Sequence, residues 1–216
     1  INSLCEKWKT AVIAAVGNEG GSGHHFGTDV LARETSEVEF ICSGLGNSMY
    51  LDIWKSFNDD ISIELISPYG TSSGIITEKT RNQRINMGGI IISADYRMPT
   101  HYSMKQEIKI NFDIINEQAG IWKLILRCSD IIDGRVDIWM PTVSEVSENT
   151  SFLRPEESGT MTLPSTAENV ISVGGYDTST ESLAFFSGKG FKGINPDLTA
   201  PAVRVYSSKA LSLIHI

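Results

Sequence analysis

The residues able to do chemistry are few. Asn18 lies in Gly17-Asn18-Glu19-Gly20-Gly21, directly after the apolar run Ala11-Val12-Ile13-Ala14-Ala15-Val16. A primary amide donates hydrogen bonds without carrying charge, and flanking glycines let another backbone come close. The same string also makes an ordinary turn, because Asn tolerates positive φ, so taken alone it leaves both readings open. His24 and His25 are neighbours in sequence, and neighbouring side chains point in different directions. With no third ligand at a suitable spacing they read as a surface or interdomain pair rather than a metal site. Ser165 and Ser187 sit in turn-rich stretches, and Asp197 in Pro196-Asp197-Leu198 reads as a structural turn carboxylate.

Cys5, Cys42 and Cys128 are far apart and odd in number. Without a C-x-x-C pair they indicate neither a zinc site nor a disulfide framework. Free, buried thiols are expected, which suits a reducing or anaerobic compartment. No cofactor is expected. Calcium is allowed, but no dense loop of oxygen ligands compels it.

The elements that must position these residues change character along the chain. In residues 1–9, Leu4, Cys5 and Trp8 recur at helical spacing. The short unbroken run 11–16, stopped by glycine, is the pattern of a strand buried on both faces. Between 28 and 149 short alternating or β-branched runs follow one another: Ser36–Cys42, Met49–Lys55, Ile61–Ile66, Gly74–Glu78, Ile85–Ser93, Glu107–Ile114, Gly120–Arg127 and Gly134–Met140. Turn signals such as Asn58-Asp59-Asp60 and Ser67-Pro68-Tyr69-Gly70 separate them. That punctuation predicts an antiparallel sandwich or jelly roll. From Phe152 onward the earlier pattern returns, with Val170-Ile171-Ser172-Val173-Gly174-Gly175 as a second short strand ending in glycine. The expected class is therefore α/β: a partial parallel-sheet domain, in pieces 1–27 and 150–206, interrupted by an all-β insert at 28–149.

The bulk numbers fit a globular protein: 216 residues, 41% hydrophobic and 20% charged. A formal net charge of −8 argues against a nucleic-acid surface, which needs a basic stripe. No run approaches the 18 or so apolar residues of a membrane span. The start has neither an initiator Met nor the plan of a signal peptide, so the chain is expected to begin inside a longer protein. Leu211-Ser212-Leu213-Ile214-His215-Ile216 is what CTGTCTCTTATACACATC encodes, a transposon end used in sequencing-library preparation. Residues 207–216 are therefore expected to be a non-native tail, adaptor-derived from about 211.

Several blocks occur in a fixed order: Ala11 to Gly20, Leu163-Pro164-Ser165-Thr166-Ala167, Val170 to Gly175, Phe186-Ser187-Gly188-Lys189-Gly190, and Pro196-Asp197-Leu198-Thr199-Ala200-Pro201. Together they resemble the subtilisin-like serine proteases, or subtilases. The long β insert, with Gly17-Asn18-Glu19-Gly20 followed by His24-His25-Phe26, is similar to the Csp-type germination proteases of spore-forming bacteria, which carry an inserted jelly roll.

The resemblance implies a serine endopeptidase that hydrolyses peptide bonds by Ser-His-Asp acyl transfer, acting on a protein or peptide substrate. Asn18 matches the position of the oxyanion-hole asparagine, and Ala14, Ala15, Val16 and Gly17 match one wall of the substrate pocket. Neither Ser187 nor Ser165 lies in the Gly-Thr-Ser setting of the nucleophile, and neither His24 nor His25 inherits the catalytic base. The chain alone is therefore expected to be inactive. The family usually has Gly after Ala-Pro, and here Ala202 stands instead, which would cost about 1 kcal/mol or more if that backbone needs positive φ. Some Csp-type members are pseudoproteases that act by binding, so a catalytically dead signalling subtilase is the alternative. The resemblance favours the bacterial cytoplasm or a spore compartment, with secretion also allowed.

Overall fold

The computed structural model describes residues 1–43, 49–80, 83–101, 103–114, 119–147 and 149–206. The expected tail at 207–216 and the expected turn at 44–46 lie outside the described residues. The chain divides into two compact units, Ile1–Ser22 with Glu157–Ile216, and Gly23–Glu156.

One helix, α1 (Asn2–Trp8), precedes the strands. These are β1 (Val12–Ala15), β2 (His25–Asp29), β3 (Thr35–Cys42), β4 (Tyr50–Ser56) and β5 (Ile61–Ile66). Next come β6 (Arg84–Asn86), β7 (Ile90–Tyr96), β8 (Lys105–Ile114), β9 (Gly120–Cys128) and β10 (Arg135–Trp139). The last are β11 (Ser151–Phe152), β12 (Val170–Asp177), β13 (Ser182–Leu183) and β14 (Leu198–Pro201).

The unit 23–156 is a sandwich of two antiparallel sheets, one ordered β2-β10-β4-β8-β7-β6 and the other β11-β3-β9-β5. Three of its strands alternate strictly: β7 reads buried, half-buried, buried from Ile90 to Tyr96, and β4 and β5 do the same. Side chains project to opposite faces every second residue, so the alternating runs of the sequence become the two inner faces. Trp122, fully buried, packs edge-on to Phe112 with centroids 5.6 Å apart and lies 6.4 Å from Phe40. Each such side chain contributes about 1.5–3 kcal/mol by leaving water.

The first unit holds a smaller sheet. β1 pairs in parallel with β12, Val12 opposite Val170 and Ala15 opposite Val173, and β14 pairs in parallel on the other side of β12. β13 joins antiparallel.

This architecture corrects the α/β expectation. Among the described residues β-structure predominates, 44% being strand and 5% helical. The sandwich supplies most of the strands and pairs them antiparallel. In the first unit the stretches between strands are turns and bends, so the helices that would cover a parallel sheet are absent among the described residues. The run 11–16 is accordingly not buried on both faces: Ile13 is 68% exposed. One further expectation fails locally: Gly74–Glu78 is not a strand, because only the isolated bridge of Ile76 to Ile63 forms there before a 3-10 turn at Glu78–Thr80. His25–Asp29, assigned to no element in the sequence, is a strand because Trp139 through Arg135 offer it a full antiparallel edge. No helix among the described residues is long and apolar enough to cross a membrane.

The outer face of the six-stranded sheet carries one strained carboxyl. Asp52 stands opposite Trp139 on one side and Lys109 on the other. Burial, and then the neighbouring Glu107 carboxyl, push Asp52 up to about 6, and its Oδ1 has no hydrogen-bond partner. The folded state therefore holds this proton more tightly than the unfolded chain does. The resulting penalty is absent below about pH 4 and fully present above about pH 6. Asp52→Asn removes the charge and gives Glu107 a donor. Thermal melts should show the Asp52→Asn variant matching the parent near pH 4 and melting higher at pH 7.5; equal melting temperatures at both would disprove the assignment.

Candidate functional site

The turn after β1 is built by close backbone approach. Val16 extends the parallel pairing by donating to Val173 O at 3.0 Å, and its own carbonyl accepts from Thr162 N at 3.0 Å. Gly17 then takes φ +96, with a would-be Cβ 2.7 Å from Thr162 Oγ1. Its carbonyl accepts from Gly188 N at 3.1 Å, and Gly20 N donates to Phe186 O at 2.8 Å. A Cβ on Gly20 would lie 2.0 Å from Ser187 O, and one on Gly188 would lie 2.3 Å from Val16 O. Gly20 and Gly188 are required because two backbones cross where no side chain fits, and Gly17 because of its positive φ against Thr162.

Asn18 is exposed at the tip of this turn, between two residues whose backbone groups are both held by the segment 186–188. The backbone on either side of Asn18 is thus held, and its primary amide faces solvent. Ala14 is half-buried and Ala15 exposed on β1, Val16 is buried and Gly17 half-buried. The blocks at 11–20, 160–167 and 186–190, separate in sequence, thus meet around one turn. Ser187, 1% exposed, serves this scaffold: its Oγ accepts from Gly175 N at 3.0 Å. Ser165 Oγ donates to Thr162 O at 2.6 Å. Asp197 accepts from both Ser172 N and Ser172 Oγ, at 2.8 and 2.7 Å, and these bonds hold its carboxyl below the usual range. It is a structural turn carboxylate. Ala202 is not at positive φ, so the backbone cost anticipated for it does not arise. Gly175 is small because Ala202 Cβ lies 2.7 Å from where its Cβ would stand.

The histidines depart from expectation. Both are buried, His24 5% and His25 3% exposed. His24 Nε2 meets Thr150 O at 2.9 Å. His25 stacks on Trp139 with centroids 4.0 Å apart, and its Nε2 lies 3.2 Å from Asp137 Oδ1. With Glu156 these residues offer ligand atoms within 4.8 Å of one another. Sequence spacing could not reveal such a cluster, because β2, β10 and the segment after β11 are brought together only by the sandwich. However, Arg135 already fills the place of a cation, 2.7 Å from Asp137 Oδ1 and 2.7 Å from Glu156 Oε2. Gly27 makes the room: a Cβ there would lie 1.9 Å from Glu156 Oε2. Burial works to raise the Asp137 carboxyl, but the bonds from His25 and Arg135 outweigh it and hold that group well below the usual range. This is a half-buried ion-pair network.

One further string escaped the sequence reading. Gly70-Thr71-Ser72 lies in the turn after β5 of the sandwich, where Ser72 Oγ donates to Glu64 Oε1 at 2.6 Å. Its Gly-Thr-Ser signal is thus spent in a surface turn. The three cysteines are free and buried, and burial pushes the Cys42 thiol up to about 12, far from a reactive thiolate.

Comparison with known proteins gives a strong likeness. No family model matches the chain, and no curated protein does. The chain is similar in structure to the Clostridium perfringens CspB protease, with a TM-score of 0.83 and 30% sequence identity over 93% of this chain and 42% of that one. It therefore has the fold of part of a protease, and it spans less than half of that protein's length.

The glycine crossing can be tested directly. Gly20→Ala forces the Phe186–Gly188 backbone away and should cost about 1–3 kcal/mol, and Ser187→Ala should cost about 1 kcal/mol through the lost acceptor for Gly175 N. Urea unfolding followed with amide exchange at Gly20, Gly175 and Gly188 measures both. Unchanged protection at Gly188 in Gly20→Ala would show that the crossing does not hold the turn.

Proposed function

We propose that this chain is a portion of a subtilisin-like serine endopeptidase of the Csp type, in which Asn18 is the side-chain donor of the oxyanion hole. Acyl transfer develops negative charge on the carbonyl oxygen of the scissile bond, and a fixed donor lowers the barrier by meeting that charge as it forms. The observation that carries this reading is the pinned turn, Gly17 O and Gly20 N both tied to 186–188 with Asn18 exposed between them. Its agreement with the ordered motifs, and the 0.83 TM-score to a protease at 30% identity, support it. Ala14, Ala15, Val16 and Gly17 form one wall for the substrate residue before the scissile bond, their small side chains leaving space for it. The unit 23–156 is the inserted jelly roll, and the substrate is a protein or peptide.

In this reading Asp, His and Ser of the triad are supplied by sequence beyond these residues, so residues 1–216 alone lack a nucleophile and base. Purified 1–216 should neither hydrolyse a casein-derived peptide nor react with a fluorophosphonate probe. In the full-length protease, Asn18→Ala should lower kcat by about 10²–10³, the size of effect known for one such donor in subtilisin, with KM little changed. Labelling of 1–216, or full activity of the Asn18→Ala protease, would contradict the assignment. A full-length protein inert toward both probes would make it a binding pseudoprotease.

A further inference from the structure

At one end of the sandwich, the end reached by β2, β4, β7 and β9, four loops converge. Val30 N donates to Gly134 O at 2.9 Å, Asp60 N to Asp130 O at 2.8 Å, Ser129 N to Asp60 O at 2.9 Å, and Phe57 N to Met104 O at 3.3 Å. Each loop carries a large apolar residue in solvent: Leu31 64%, Phe57 37%, Met104 75% and Ile132 76% exposed. An apolar cluster left in water forgoes the burial that drives folding, and such clusters on a folded domain mark contact surfaces.

The cluster is also held rigid from beneath. Asp59, 2% exposed, takes the amide N–H groups of Ile132, Asp133 and Gly134 on its carboxylate at 2.7, 3.0 and 3.0 Å. Burial works to raise that carboxyl, and the three amide bonds prevail and lower it. Lys55, also 2% exposed, donates to the Asp59 carbonyl at 2.5 Å. Gly134 stands at φ +84, where a Cβ would lie 2.5 Å from Val30 O. Ile132 is therefore displayed on a clamped loop. A side chain already fixed in place loses little entropy on binding.

Charge selects the occupant. Asp29, Glu34, Asp60, Asp130 and Asp133 are exposed on these same loops or at their edges, outnumbering the exposed Arg33, Arg97 and Lys105, of which Arg97 pairs with Glu107 and Lys105 with Asp137, within a chain of net charge −8. Two copies of this chain would bring acidic rims together, and an anionic bilayer would repel the rim. From this geometry we infer that the loop end of the sandwich docks a basic, apolar-centred segment of a partner protein. Leu31, Phe57, Met104 and Ile132 take the apolar residues, and the acidic rim takes the flanking Lys or Arg. The inference stands apart from the protease reading, because none of these residues belongs to the turn at Asn18.

The test titrates the full chain into two fluorescein-labelled octapeptides, one with two leucines between lysines, the other with serines replacing the leucines. The leucine peptide should bind at least about tenfold tighter, and Ile132→Ser/Met104→Ser should weaken it by about tenfold or more with the melting temperature unchanged. Asp130→Asn/Asp133→Asn should slow association and flatten the salt dependence. Amide exchange on the unmodified chain should show protection confined to residues 31–34, 57–60, 103–105 and 130–134, which keeps the test valid if the serine variant fails to fold. Equal binding of both peptides, indifference to Ile132→Ser/Met104→Ser, or protection elsewhere would overturn the inference. So would preferential binding to phosphatidylcholine vesicles, or self-association that Ile132→Ser abolishes.

Discussion

Two stretches of backbone cross at Gly20 and Gly188 more closely than any side chain permits, and the unit formed by the two ends of the chain depends on that crossing. Residues 1–22 and 157–206 have no local reason to associate. They become one unit because β1 pairs in register with β12 and because the turn beyond β1 is tied to Phe186 and Gly188. Thr162, Ser187 and Gly175 then fill in around it. The sandwich is a long excursion between two pieces of chain that are joined elsewhere. Loop closure of this length costs little more than that of a shorter loop, because the entropic penalty grows only logarithmically.

The consequence is that Asn18 stands exposed on a turn whose Gly17 and Gly20 backbone groups are both hydrogen-bonded to the segment 186–188. Glycine is usually a source of flexibility, but at Gly17, Gly20 and Gly188 it permits a close packing that removes flexibility. Ser187 and Asp197, which look reactive in isolation, instead hold that scaffold: one takes the Gly175 amide, the other takes the amide and hydroxyl of Ser172.

The sandwich solves a different problem with the same physics. At its core, alternation buries one face of every strand. Where the core runs out, Lys55 and Asp59 replace apolar packing with buried polar groups whose partners are backbone amides and carbonyls. His25, Arg135, Asp137 and Glu156 form a second such network on the outer face of the six-stranded sheet. Each network includes partners far away in sequence, Ile132 to Gly134 for Asp59 and Asp137 for His25, which makes each dependent on the sheets being in register.

By itself the sequence determined the local grammar: the alternating strands of the sandwich, the short apolar run ending at Gly17-Asn18, and the glycine-rich blocks whose order carries the family resemblance. These depend on the side-chain period and on backbone freedom, both of which are local. It did not determine the class of the whole chain, because a run such as 11–16 reads as buried whether or not anything covers it, and Ile13 is uncovered here. Nor did it determine the fate of His24 and His25, whose partners Thr150, Asp137 and Glu156 lie more than a hundred residues away. Burial, ion pairing and the gathering of four loop tips around Asp59 arise from contacts between distant segments. Only the tertiary structure decides them, because sheet register alone sets which side chains become neighbours.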